Sequence, residues 1–137
     1  MKLEDLKAEL ANDLKLDVAN LQTATHRVPI LVGKWLNYRA QAKSMLAKAE
    51  RDLNTVRRNQ FLYYIGKHPE MVSDMLVEKS EIKIVLAGDP EVMKSELMMA
   101  HVKNVLAHIE DSIKAIRDLG FTVKNIIDLR KLEAGVV

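Results

Sequence analysis

The sequence predicts an all-α protein: a long helical hairpin with a coiled-coil-like rod, followed by C-terminal helices that associate with other copies. Three observations carry this. Residues 30–65 are a run of helix formers interrupted only by Gly33. Asp89-Pro90-Glu91 announces another long helix: an acidic cap, a proline where no N–H is needed, and an acid at the positive end of the helix dipole. Aromatics are only 4% of 137 residues, with five glycines and three prolines, while seven methionines join plentiful Leu, Ile, Val and Ala. That is the composition of aliphatic helix seams. One domain is expected over residues 1–137, with the rod in 1–88 and the associating helices in 89–137.

In chain order, Leu3, Leu6, Leu10 and Leu14 recur at three- and four-residue spacing behind Glu4 and Asp5. This predicts a short amphipathic helix that needs a partner surface. Asp17 is placed to cap a second short helix through Val18 and Leu21. It is expected to stop or kink before Pro29, whose ring disfavours α geometry at Val28. In the helix that follows, positions 35, 39, 42, 46, 49, 53, 56, 60 and 63 keep a 3.5-residue repeat and are apolar or aromatic except Arg39 and Gln60. About 35 residues at ~1.5 Å rise make a rod of roughly 50 Å, which has to lie against another long helix. Gly66, ahead of His68-Pro69, is expected to end it in a left-handed conformation. Ser73 is expected to cap a helix through Met75, Leu76, Ile82, Val85 and Leu86, ending at Gly88. The segment 81–86 also alternates like a strand, but a lone strand leaves its edges unpaired. From Asp89 the next helix is expected to run to about Leu119, with Gly120 at its C′ position and Phe121 reaching back to Ile116. A last helix, from Val123 to about Glu133, ends at Gly135.

Within the helix from Val92 to Leu119, Met98, Val102, Val105, Ile109 and Ile116 form one apolar row, and Met99, Leu106 and Ile113 form an adjacent one. A helix apolar over so much of its girth is buried on two sides. Self-association through Met98, Val102, Val105, Leu106, Ile109, Ile113 and Ile116 is the economical explanation. The alternative is that the N-terminal helices fold back over the second row.

The functional signal lies in residues 34–67, which hold eight Lys/Arg (Lys34, Arg39, Lys43, Lys48, Arg51, Arg57, Arg58, Lys67) against Glu50 and Asp52. The whole chain carries only +2, so the remainder is net acidic. Five of the six aromatics fall in the same stretch: Trp35, Tyr38, Phe61, Tyr63 and Tyr64. Cations displace counterions along phosphates and rings offer faces to unpaired bases, so this combination suits single-stranded nucleic acid. A solvated charged helix with ordinary core aromatics has a similar composition.

Other chemistry is missing. Gly33-Lys34 and Gly66-Lys67 lack both the upstream glycine and the following Ser/Thr of a phosphate loop. His26, His68, His101 and His108 have no metal-ligand spacing, and no cysteine is present for disulfides, thiolates or zinc. The acids are scattered without a pair for acid–base work. Neither an enzyme nor a cofactor or metal site is expected. The N-terminus has acids where a signal peptide needs an apolar run, and no segment approaches the ~20 apolar residues of a membrane span. A soluble, intracellular protein is expected.

Five stretches in order carry a family resemblance: LEDL at Leu3–Leu6, KWLN at Lys34–Asn37, Tyr63-Tyr64 with Gly66, Glu78–Leu86, and the tail from Ala115 to Gly135 containing Gly120-Phe121 and Glu133-Ala134-Gly135. Together they make the chain resemble the UvsY family, the recombination mediators of T-even-type bacteriophages, over essentially its full length. The resemblance implies a helical protein that closes into a hexameric or heptameric ring, binds single-stranded DNA, and acts in the cytoplasm of the infected host. It also implies two protein partners: a RecA-like recombinase, and the phage single-strand-binding protein that coats the DNA being loaded. The family's motif places two basic residues, one apart, just before the tyrosine pair. Arg58 occupies the first position and Gln60 stands at the second, with Arg57 placed to compensate.

The expected interface is therefore Arg57, Arg58 and Lys67, with Tyr63 and Tyr64 as rings and Lys48 and Arg51 extending the track. Tyr63 lies on the seam and Tyr64 about 100° away, better placed for a base. Trp35 is expected more as a packed seam aromatic than as a stacking face. The competing reading is a helical adaptor whose basic rod docks an acidic protein. A membrane-surface helix is disfavoured because the apolar residues of the basic segment form a narrow seam.

Overall fold

The computed structural model describes residues 1–73 and 76–135. Among them the chain forms α1 (Leu3–Asp13), α2 (Leu21–Tyr64), α3 (Ile82–Ala87) and α4 (Pro90–Glu133), with no strand. None of these helices is long and apolar enough to cross a membrane. The chain divides into two compact units, Met1–Ala42 with Asn104–Val137, and Lys43–Lys103. The division falls across both 44-residue helices.

In the first unit, Leu6, Leu31, Trp35, Ala42, Val105, Ile109, Ile113 and Ile116 form a buried cluster, and Leu3, Leu10, Leu14, Val28 and Leu106 pack against it. The leucine stripe of α1 has thus found its partner surface on α2 and α4. Within this unit the broad apolar girth of α4 is covered by α1 and α2 of the same chain.

Three element boundaries differ from those the sequence predicts. Asp17 does not start a helix; its carboxylate accepts from Ala19 N–H, and Asn20, just ahead of α2, accepts from Thr23 N–H. The helix then runs through Pro29. Proline inside a helix removes one bond and costs ~3 kcal/mol, but Thr25, whose carbonyl loses its partner, is exposed and open to water. The burial of Leu31 and Trp35 immediately beyond it offsets that cost.

The second difference is at Gly120, which lies in the middle of a continuous α4, with no separate last helix. A Cβ there would sit 3.2 Å from Val28 Cγ1, so the glycine permits close approach of α2 and does not end a helix. Phe121 is exposed and does not cover Ile116.

The third is the stretch after Gly66. Residues 69–73 and 76–78 are not helical, and α3 begins only at Ile82; Met75 lies outside the described residues. The His68 ring accepts from Glu70 N–H and Met71 N–H, which favours a turn over a helix. Gly66 itself behaves as expected. Its φ is +77°, Lys67 N–H bonds Leu62 C=O and Gly66 N–H bonds Tyr63 C=O, the paired bonds of a Schellman end. The returning chain places Leu76 against Gly66, where a Cβ would meet it at 2.6 Å, and Val77 N–H bonds Tyr64 C=O.

Candidate nucleic-acid interface

The basic, aromatic stretch of the sequence does two different jobs. Its beginning lies in the first unit and holds α1. Asp13 at the end of α1 is buried, and its carboxylate accepts from Lys34 Nζ at 2.5 Å and from the Trp35 indole N–H at 2.9 Å, with Arg27 at 3.7 Å. Tyr38 donates to Glu9 at 3.0 Å and meets the edge of Trp35 with ring centroids 5.2 Å apart. Trp35 is fully buried, so it packs and offers no face to a base.

The remainder, in the second unit, is differently arranged. Lys48, Arg51 and Arg58 are spaced by three and seven residues, which sets them on one side of α2. That side is opposite the seam of Ala49, Leu53 and Val56, and all three cations are exposed. None of them has an ion-pair partner among the described residues, and neither does the exposed Lys67.

Arg57, Gln60 and Tyr64 lie on another side and are bonded to acids of α4. Arg57, half exposed, pairs with Glu96 at 3.1 Å. Gln60 Nε2 and the Tyr64 hydroxyl both donate to Asp89 Oδ2, at 2.8 and 2.6 Å. The other oxygen of Asp89 accepts from Glu91 N–H and Val92 N–H, so it caps α4 as its Asp-Pro-Glu signal predicts. Tyr63, half buried, meets Tyr64 edge to face with centroids 5.2 Å apart.

Electrostatics follow from this geometry. Burial pushes the Asp89 carboxyl up, but bonds from Tyr64, Gln60, Val92 and Glu91 outweigh it and hold the group below its ordinary value. The bond to Asp89, then burial, raises the Tyr64 phenol to about 12. A carboxyl lowered in the folded state contributes stability above its unfolded value, and that contribution disappears as pH falls through the folded one. Thermal melts should therefore show the advantage of the wild type over Asp89→Asn shrinking as pH is lowered below about 4. A difference that stays constant from pH 7 to 2 would contradict the ionised clamp.

Of the residues expected to mediate association, Val102, Val105, Ile109, Ile113 and Ile116 are buried within the chain, Leu106 is half buried, and Met98 is exposed. Other large apolar side chains exposed on α4 are Met93, Leu97, Phe121, Leu129 and Leu132. The clamp at Asp89 was missed in the sequence: the cap motif accounts for one oxygen, and nothing local points the second at Gln60 and Tyr64. Among the described residues no group of three or more His, Asp or Glu is arranged to hold a metal ion.

A family model described as "Recombination, repair and ssDNA binding protein UvsY" matches residues 9–136. The recombination protein uvsY of Enterobacteria phage T4 is 32% identical over 136 residues, covering 98% of this chain and 99% of that protein. Crystal structures of the bacteriophage T4 recombination mediator protein UvsY superpose closely. Lattice type II gives a TM-score of 0.89 at 32% identity over 98% of each chain. Lattice type IV gives 0.89 at 28% identity over 96% of this chain and 99% of that one.

Proposed function

The chain belongs to the UvsY family of recombination, repair and single-stranded-DNA-binding proteins, and on that footing we propose that it is a recombination mediator. It grips single-stranded DNA as a homo-oligomeric ring and promotes loading of a RecA-like recombinase onto DNA coated by the phage single-strand-binding protein. It serves homologous recombination, repair and recombination-dependent replication in the cytoplasm of the infected host. Its role is binding, without a catalytic step of its own.

The observation that supports this best is the exposed row Lys48, Arg51 and Arg58, cations with no ion-pair partner among the described residues. Lys67 lies beyond the end of the same helix. Arg57 joins them whenever a phosphate displaces Glu96, and the rings of Tyr63 and Tyr64 stand between one and two turns further on. Three or four phosphates neutralised per subunit give a salt slope of roughly −2 to −3 on logarithmic axes, and each stacked base adds ~1–3 kcal/mol. One such patch is weak beside a dedicated coating protein. Repeated around a ring it becomes strong, because each further contact is made at high effective concentration.

Anisotropy titration of a labelled oligothymidylate at two salt concentrations tests the reading. Arg58→Ala is expected to weaken binding alike for every base composition and to lower the salt slope by about 0.7. An unchanged slope removes Arg58 from the strand's path. If wild type ignores DNA yet captures an acidic peptide through the same row, the chain is a protein adaptor instead.

A further inference from the structure

Asp89 is an acid bonded to the side of α2 away from the exposed row Lys48, Arg51 and Arg58, and it is buried and surrounded by donors. Its two oxygens take the amides of Glu91 and Val92, the Gln60 amide and the Tyr64 hydroxyl. A carboxylate so enclosed keeps its charge but has both oxygens engaged by neutral donors, and its effect on the surroundings is to order them. Tyr64 is held at both ends, its hydroxyl by Asp89 and its carbonyl by Val77 N–H. Tyr63 leans on Tyr64 at an interplanar angle of 69°, and its own hydroxyl has no hydrogen-bond partner among the described residues. Gln60 occupies the position where a second cation is expected. A cation there would meet the Asp89 carboxylate at hydrogen-bond range before it met solvent.

We propose that Asp89 is a positioning residue of the nucleic-acid site: by holding Gln60 and Tyr64 it sets the last turn of α2 and, through the contact of the two rings, the orientation in which Tyr63 presents its ring. Gln60 belongs to this clamp and not to the phosphate track. The inference rests on the single-stranded-DNA reading above. Its physical content is preorganisation: a side chain that must be ordered on binding weakens affinity about two- to tenfold, and the clamp orders it beforehand.

The test uses the full chain and a labelled oligothymidylate, well below the melting temperature of every variant. Tyr64→Phe keeps the ring and removes only the donor. Asp89→Ser keeps a capping hydroxyl for α4 and removes the second acceptor. Each is expected to weaken binding about two- to tenfold with an unchanged salt slope, because no phosphate contact is lost. The double variant should bind no more weakly than the weaker single one, since both break the same contact. Gln60→Arg should leave the slope unchanged, its new charge being paired with Asp89.

Wild-type affinity in Tyr64→Phe and Asp89→Ser overturns the inference and leaves the DNA reading standing. Losses that multiply in the double variant, or a steeper slope in Gln60→Arg, also overturn it. Absence of salt-dependent binding by the wild type overturns both. If Asp89→Ser loses helicity by circular dichroism, Tyr64→Phe decides alone, because its ring fills the same space.

Discussion

Asp13→Ala is expected to lower the unfolding free energy by about 3 kcal/mol, the largest single-residue effect anticipated outside the apolar core. Asp13 is 4% exposed and receives the Trp35 indole N–H and the Lys34 ammonium, with Arg27 close by. Removing the carboxylate leaves a fully buried indole donor unpartnered, takes the acid from Arg27 and leaves Lys34 only Glu9 at 3.8 Å. Because α1 is only 11 residues long and buries Leu6 as its one core side chain, it has little else to keep it in place. Thermal denaturation should show a fall of about 10 °C. Asp13→Asn, which keeps an acceptor for the indole, should lose less. A shift under 2 °C in the alanine variant would mean that α1 is held by its leucines alone.

Under the proposed ring assembly, the largest functional effect is expected from separating its subunits while the basic row is left untouched. Most of the apolar rows on α4 are used inside the chain, so the side chains left for self-association are exposed ones such as Met98, Phe121 and Leu132. Phe121 and Leu132 share a side of α4 at helical spacing. The double substitution Phe121→Glu/Leu132→Glu is expected to reduce the native mass to that of one subunit, about 15.5 kDa. Affinity for a long oligothymidylate should then drop by about a hundredfold, the scale on which linked sites outdo single ones. Native mass spectrometry and the anisotropy titration measure both. A monomer that grips DNA as tightly as the wild type would show that multivalency is not the source of affinity. An oligomer that persists would take this row out of the interface.

Much of the fold could be read from local chemistry. The seam through Ala42, Ala49 and Leu53 follows from a simple repeat, and each of these residues is buried. The glycine end at Gly66 and the cap at Asp89 follow from backbone and side-chain stereochemistry that needs no distant partner. Pro29 and Gly120 were misread for one shared reason. Both look like stop signals along the chain, but their outcome is decided by non-local packing, of Leu31 and Trp35 in one case and of Val28 in the other. Arg57 and Arg58 are adjacent in sequence and chemically identical, yet about 100° of helix rotation separates a cation paired with Glu96 from one facing solvent. Composition shows that a basic stretch exists. Only the partner helix shows which of its charges are already neutralised.

The burial of Trp35 reaches beyond stability. It is the sole tryptophan of the chain, with no solvent exposure, its indole N–H held by Asp13 and its ring face-to-edge with Tyr38 and His108. Any ultraviolet emission excited selectively from indole therefore originates in one dry spot beneath α1. It is a built-in optical gauge of whether that helix is seated, and a strand lying along Lys48, Arg51 and Arg58 has no indole within the chain to darken.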